Sequence, residues 1–429
     1  LIVLGGPSVP NDPADFFDSH PGIDLLCHGE GEESFAEILE AMLAGRAPSR
    51  IAGTTHYERG TGQVTANPPR QRFRDLTPIP SPYLGGIFDG LLAGRPDVEW
   101  MALWETNRGC PFSCSFCEWG GADTTKLRRF DMDRLGAEID WFARHEIGWI
   151  FCCDANFGIL KRDLEIAQLL TRAKRARGYP QEFRVCYTKN SSGRIIELAK
   201  LFDQAEMGKG VSISMQSLNP DTLKRIKRVN MAASDFATLQ GKFAAQGLVT
   251  FTEMIVALPG ETYDSFAAGL ETLLDCGQHG GINIYNCSIL PNSEMAEPEY
   301  QKAHGIQTVD IPVFQPHSSP PEAGAEVIEG ERIAVATDSL PIEDWRRVQR
   351  FAWAVQCFHL LGMLQAVALT LKNAMGVGYR DFYESLIAHG LDNPRGLVGG
   401  ELARLDAVLV NVLAGKGFDQ YLEGFLDVT

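Results

Sequence analysis

The sequence predicts an α/β fold centred on a partial (β/α)6 TIM barrel. The C-terminal part of a doubly wound domain precedes it and a mostly helical C-terminal domain follows. Between residues 101 and 289, six short apolar runs alternate with helical stretches. Near-continuous apolar runs are the mark of parallel strands covered by helices on both sides. The polar residues of those runs collect at their C-terminal ends, where barrel proteins place their chemistry.

The elements follow in chain order. Residues 1–4, Leu-Ile-Val-Leu, read as a buried strand running into Gly5-Gly6-Pro7. Residues 12–18 read as a short helix with Pro13 near its start, where a missing N–H costs nothing. Residues 23–27 are a second strand, and Gly29-Glu30-Gly31-Glu32 turns into a helix at 34–43. Ile51 and residues 54–58 begin a hairpin closed near 60–62. The chain opens inside a strand without a start methionine, so residues 1–75 are expected to be the truncated end of a larger domain. The run Thr77-Pro-Ile-Pro-Ser-Pro82 makes 76–100 a linker. The barrel occupies 101–308. Its strands fall at 101–106, 149–153, 183–188, 210–215, 249–257 and 282–289. Helices fall at 131–145, 161–177, 191–205, 220–227, 233–246 and 263–276; Gly178 and Pro180 end the second. In the C-terminal domain, 309–429, the stretch 311–336 carries Pro312, Pro316, Pro320 and Pro321 and reads as an irregular loop or lid. A helix at 342–365 opens the rest.

Composition narrows the function. The 429 residues are 45% hydrophobic and 22% charged, with a net charge of −16. That balance disfavours a nucleic-acid partner, which needs a basic surface. Two basic runs, Lys126-Arg128-Arg129 and Lys224-Arg225-Lys227-Arg228, read as solvated helix faces. The most apolar stretch, 351–371, is interrupted by Gln356, His359 and Gln365. It reads as a core helix rather than a membrane span. Trp353, Phe358, Met363, Tyr379, Phe382 and Tyr383 join it as C-terminal core. No secretory signal is legible, and thiols reserved for a metal need a reducing compartment, so the expected location is the cytoplasm.

The sharpest feature is Arg108-Gly-Cys110-Pro-Phe-Ser-Cys114-Ser-Phe116-Cys117, a C-x3-C-x2-C spacing. Three thiolates on one loop suit a soft metal: three irons of a cubane cluster, with the fourth iron left open. Structural zinc is the alternative, but it pairs two C-x2-C knuckles and no second knuckle exists. The other seven cysteines are scattered; Cys152, Cys153, Cys186 and Cys287 read as small core residues. Polar groups close four further strands: Asp154-Ala-Asn156-Phe-Gly158, Thr188-Lys189-Asn190, Ser212-Ile-Ser214-Met-Gln216-Ser217 and Thr252-Glu253, the last leading to Leu258-Pro-Gly-Glu-Thr262.

The cysteine loop with Trp119-Gly120, the Asp154–Gly158 stretch and the Gly5-Gly6 and Gly29–Glu32 segments together resemble the cobalamin-dependent radical S-adenosylmethionine enzymes, most of which are methyltransferases. The resemblance spans nearly all of 1–300. It implies a [4Fe-4S] cluster on Cys110, Cys114 and Cys117, with Phe116 beside the adenine of S-adenosylmethionine. It implies cofactor contacts from Asp154, Asn156, Lys189, Ser214, Gln216 and the backbone of Leu258, with Glu253 facing cofactor or substrate. Asp154 and Asn156 stand where the superfamily carries Gly-Gly-Glu. Gly5, Gly6, Gly29 and Gly31 resemble loops that enclose the cobalamin nucleotide tail, and His28 and His56 are poor cobalt ligands.

The resemblance further implies methyl transfer to an unactivated carbon, or to phosphorus, of a small molecule. An external electron donor of flavodoxin or ferredoxin type would serve the cluster. A non-methylating radical reaction (rearrangement, cyclisation or oxidation) and a non-catalytic iron–sulfur protein are the alternatives. A tRNA methylthiotransferase is disfavoured for want of a second three-cysteine set.

Overall fold

The computed structural model of the chain describes every residue except 14, 121–125, 190–191, 209, 314–329 and 419–429. Asn190, Ser191, Pro316, Pro320 and Pro321 therefore lie outside the described residues. The chain forms two compact units and passes between them several times. One holds 1–98, 106–141 and 290–296; the other holds 99–105, 142–289 and 297–429.

The first unit contains a four-stranded sheet of β1 (Val3–Gly5), β2 (Leu25–Cys27), β3 (Thr54–Glu58) and β4 (Gln63–Ala66), in that order. β1 and β2 are parallel; β3 and β4 are an antiparallel hairpin. β2 is buried throughout because successive side chains leave opposite faces. Leu25 packs with Ile38, Ala41 and Ile51, while Leu26 packs with Val9 and Phe17. Ile38 and Ala41 come from the helix Glu32–Leu43, at the spacing that sets one face of a helix on a sheet. The helix expected at 12–18 is a single turn, Phe16–Ser19, which buries Phe17. The 76–100 stretch carries more than a bare linker. Leu76 is fully buried, Asp89–Gly94 is helical, and Tyr83 and Phe88 pack on Trp141 at 5.3 and 6.4 Å.

The second unit supplies the barrel strands. β5 (Met101–Trp104), β8 (Trp149–Cys152) and β9 (Glu182–Arg184) form one parallel sheet. β10 (Val211–Ser212), β11 (Thr250–Val256) and β12 (Gly281–Asn286) form another. The intervening β6 (Asn107–Arg108) and β7 (Arg128–Arg129) belong to the first unit and pair antiparallel. Helices Asp163–Arg177, Ser192–Gln204, Ala233–Ala244 and Tyr263–Asp275 follow the strands and bury one face each. All six predicted parallel strands are present. Their burial differs from expectation, because β5 alternates: Met101 and Leu103 are exposed while Ala102 and Trp104 are buried.

Two corrections concern the C-terminal region. At the end of the stretch 311–336 read as an irregular loop, β14 (Gly330–Ala336) pairs antiparallel with β13 (Gln307–Pro312), which begins before it. Ile333, Ala334, Val335 and Ala336 are buried there, and Ala334 N–H donates to the Cys287 carbonyl. The helix expected over 342–365 breaks. Ile342–Ala354 is α-helical, Val355–Leu360 is a π-helical turn, and Gln365–Met375 departs at 93°. Among the described residues no single helix is long and apolar enough to cross a membrane, although this bent pair passes on length and composition. Trp345, Val348, Phe351 and Val355 are fully buried, in keeping with a core helix, whereas Met363 is exposed. His359 is also buried. It bonds Tyr383 Oη at 2.8 Å and His279 at 3.0 Å, and burial with the neighbouring imidazole pushes its pKa down to about 4.

Candidate functional site

The three cysteines sit in the first unit, in the segment between β6 and β7. Cys110 and Cys114 are buried and Cys117 is half-buried. The Cys117 N–H donates to the Cys114 carbonyl at 3.1 Å, a turn that brings the last two thiols into one loop. The donor set suits an iron–sulfur cluster. Among the described residues no three His, Cys, Asp or Glu side chains converge to ligating distance, so closure of the loop around a cluster belongs to the proposal below. Arg128 and Arg129, read as a helix face, are strand residues instead. Arg128 sits opposite Arg108 in the β6–β7 ladder, and both guanidiniums reach Glu30.

The glycine turns also lie in the first unit. Gly6 has φ +104° and Gly29 φ +68°, a region that favours glycine. A Cβ at either position would meet no heavy atom within 4 Å, so backbone is open to a closely approaching ligand there. Gly5 and Gly31 stand beside Cys27 instead. His28 bonds Thr55 Oγ1 at 2.9 Å and burial lowers its pKa, which fits a satisfied structural histidine.

In the second unit the ends of β10 and β11 converge on one carboxylate. Glu253 accepts from Ser214 Oγ at 2.5 Å, Ser212 Oγ at 3.3 Å and Gln216 Nε2 at 3.4 Å. Gln216 holds φ +63° in a non-glycine residue, and its Oε1 is buried without a hydrogen-bond partner. A positive φ and an unsatisfied buried acceptor at one residue make Gln216 a candidate contact for a ligand or an ordered water. The backbone enforces the position: Gln216 N–H donates to the Glu253 carbonyl at 2.7 Å, and Ile255 N–H to the Gln216 carbonyl at 2.9 Å. Arg228, read as part of a solvated face, is buried and donates to the Ser214 carbonyl and to Asn230 Oδ1.

The loop after β8 is fixed independently. Asp154 and Asn156 are buried in it. Asp163 Oδ2 accepts from Gly158 N–H at 2.7 Å and Leu160 N–H at 2.9 Å, while Arg194 caps the Gly158 and Ile159 carbonyls. Burial pushes the Asp163 carboxyl up to about 6 despite those two bonds. Cys153 is half-buried and Cys186 is exposed, so these two are not core residues; Cys152 and Cys287 are. Although the Cys186 surface reaches solvent, the protein packed around the thiol desolvates it and raises its pKa, with the Glu253 carboxylate adding to that and Lys189 opposing it. Lys189 thus lies within electrostatic reach of the thiol that senses Glu253. Leu258 is fully buried after Ala257 (φ +65°), and its carbonyl accepts from Glu261 N–H, closing that turn. Glu261 is itself buried and bonded by Ser217 and Ser265.

Ser214, Gln216 and Glu253 are therefore brought together, joined by Ser212 and braced by Arg228. The latter two were legible only as a polar strand residue and a member of a basic run. Phe116 lies in the cysteine loop and is half-buried.

Residues 104–273 match the model of the radical SAM superfamily. The chain is 38% identical over 407 residues to the cobalamin-dependent radical SAM methyltransferase TokK of Streptomyces tokunonensis, covering 94% of this chain and 59% of that protein. It is 39% identical over 408 residues to the 2-(S-pantetheinyl)-carbapenam-3-carboxylate methyltransferase of Streptantibioticus cattleyicolor, with the same coverage of 94% and 59%. The chain thus spans under two-thirds of the length of these relatives. Its fold is similar to the radical S-adenosylmethionine methyltransferase TsrM of Kitasatospora setae, solved with cobalamin and a [4Fe-4S] cluster. There the TM-score is 0.57 and the identity 16%, over 82% of this chain and 71% of that one. OxsB, solved with aqua-cobalamin and S-adenosylmethionine, gives a TM-score of 0.53 at 16% identity, over 100% of this chain and 62% of that one. The chain is thus similar over residues 104–273 to the radical SAM superfamily, and over 94% of its length to two cobalamin-dependent or carbapenam-directed methyltransferases.

Proposed function

We propose that this radical SAM protein is the catalytic portion of a cobalamin-dependent methyltransferase. Its target is an unactivated carbon, or a phosphorus, of a small molecule. The observation that carries the reading is identity of 38–39% across nearly the whole chain to two methyltransferases, together with three cysteines on one loop. A cluster on Cys110, Cys114 and Cys117 would supply the electron that cleaves S-adenosylmethionine to a 5′-deoxyadenosyl radical, and cobalamin would supply the methyl group.

The chain's own residues bind and orient. Glu253 offers an anionic acceptor to a ligand bearing ammonium or hydroxyl donors, and its three neutral donors fix its rotamer. Gln216 presents a buried carbonyl oxygen for one further donor. Asp163 and Arg194 hold the loop of Asp154 and Asn156 rigid, which removes conformational search from binding. Arg228 holds the strand that carries Ser214. Gly6 and Gly29 leave backbone open to the cobalamin tail. A flavodoxin- or ferredoxin-type donor delivers electrons, and the protein works in the cytoplasm without a membrane or nucleic-acid partner.

The test is anaerobic reconstitution with iron, sulfide and cobalamin, followed by a low-potential reductant, S-adenosylmethionine and 2-(S-pantetheinyl)-carbapenam-3-carboxylate as first substrate. Formation of both 5′-deoxyadenosine and S-adenosylhomocysteine supports radical methylation. 5′-Deoxyadenosine alone leaves radical chemistry without methyl transfer. A zinc content of one per chain without iron removes the reading.

A further inference from the structure

We infer that Glu30 is the positioning residue that locks the base of the cysteine loop, with Asn292 as a second anchor on the same loop; this rests on reading that loop as the cluster site. β6 and β7 are the two strands that enter and leave the cysteine segment. Their ladder places Arg108 directly opposite Arg128. Like charges facing each other across a strand pair push the strands apart. Both side chains are largely buried, at 18% and 12% exposure, so water screens them poorly.

Glu30 resolves the conflict from between the two glycines of the Gly29–Gly31 turn. Its Oε1 accepts from Arg108 Nη1 at 3.3 Å, and its two oxygens accept from Arg128 Nη1 at 2.7 and 2.9 Å. Its Oε2 also takes the Phe73 N–H at 2.8 Å. Arg108 shares a second acid, Glu32, at 2.5 Å, and Arg128 donates to the Phe73 carbonyl at 2.7 Å. Glu30 is the carboxylate common to both arginines.

A second anchor holds the loop from the segment 290–296. Asn292 Nδ2 donates to the carbonyls of Pro7 and Val9 at 2.8 and 2.7 Å, and its Oδ1 accepts from Asn11 N–H at 2.9 Å. The same segment reaches the cysteine loop: Met295 N–H donates to the Ser115 carbonyl at 2.9 Å. The cysteine loop is thereby tied to the turn after Gly5-Gly6 as well as to the Gly29–Gly31 turn. The consequence is a fixed geometry between the proposed cluster ligands and the proposed cobalamin turns.

The test compares wild type, E30Q, E30D, N292A and E30Q/R128Q by hydrogen exchange of peptides covering 106–118, with and without reconstitution. Iron retained through gel filtration and the cluster's electron paramagnetic resonance line shape are read alongside. E30Q is expected to exchange about tenfold faster at 106–118 with unchanged protection at 25–27 and 54–58, because one local opening becomes easier. It is also expected to lose most of its iron and to broaden the signal. E30D restores much of each, N292A shows a smaller change of the same kind, and the double variant is no worse than E30Q because Arg108 no longer faces a second cation. Wild-type protection and iron retention in E30Q overturns the inference, as does an equal loss of protection throughout the first unit. If E30Q does not fold, N292A decides, since wild-type exchange there at 106–118 overturns the idea. Wild type that takes up no iron defeats the cluster reading alone, because the exchange comparison without reconstitution still decides the lock.

Discussion

Glu30 and Glu253 are both carboxylates that gather three or more donors, but donors of different charge. Glu30 in the first unit is surrounded by two guanidiniums and a backbone N–H. Its charge is spent on its neighbours, so it fastens. Glu253 in the second unit is held by two hydroxyls and an amide, which orient the carboxylate without neutralising it. A carboxylate held by neutral donors keeps its charge for a cationic ligand, and S-adenosylmethionine carries an ammonium and a sulfonium. The partner's charge, more than the number of bonds, separates a fastener from a binding group.

That contrast can be broken at several strengths. The largest effect is expected from C114A, which removes one thiolate from the loop that Glu30 locks. Iron content after reconstitution and 5′-deoxyadenosine formation should both fall below detection while the circular dichroism spectrum is kept. Next is E253Q, which keeps size and loses charge. S-Adenosylmethionine affinity by calorimetry should weaken about tenfold to a hundredfold, the range of about 1.5–3 kcal/mol for a charged hydrogen bond. Iron content should not change, whereas E30Q should show the reverse pattern. S214A, which deletes one neutral donor to Glu253, should cost about fivefold in the same titration, corresponding to about 1 kcal/mol. If S214A equals E253Q, Glu253 is a structural acid and the contrast collapses.

The smallest effect concerns a third carboxylate. Asp163 is bonded by two backbone N–H groups, and burial raises its pKa from 3.8 to about 6. The folded state then holds more protons than the unfolded chain between those two values. Stability contributed by this group is present below the lower value and is lost as pH rises through the upper one. D163N should flatten the fall in melting temperature between pH 4 and 6. An unchanged slope would show that other groups set it.

Much of this frame was legible beforehand. The six parallel strands, the hairpin β3–β4 and the cysteine loop follow from local pattern, because apolar runs, turn glycines and thiol spacing are short-range signals. Ser214, Gln216 and Glu253 stood out as polar residues in otherwise apolar strands, and the fold brings them together. The Glu30 lock was not legible: its partners lie 78 and 98 residues away, and no periodicity links them. Arg128 and Arg228 looked like solvated charges because a basic run gives no sign of which members turn inward. Cys153 and Cys186 were read as core on the assumption that apolar strands bury both faces. Leu103, Phe151 and Tyr285 are exposed instead, so these strands do not bury both faces. The ladder β13–β14 was hidden by prolines that fall around it.

The central claim is that the cysteine loop carries a cluster that takes part in radical S-adenosylmethionine chemistry. The most direct measurement is the electron paramagnetic resonance spectrum of the reduced, reconstituted chain with and without S-adenosylmethionine. The account predicts a [4Fe-4S] signal whose shape changes on adding S-adenosylmethionine, with no signal at all in C114A. A cluster signal that S-adenosylmethionine leaves unaltered in the wild type would contradict it.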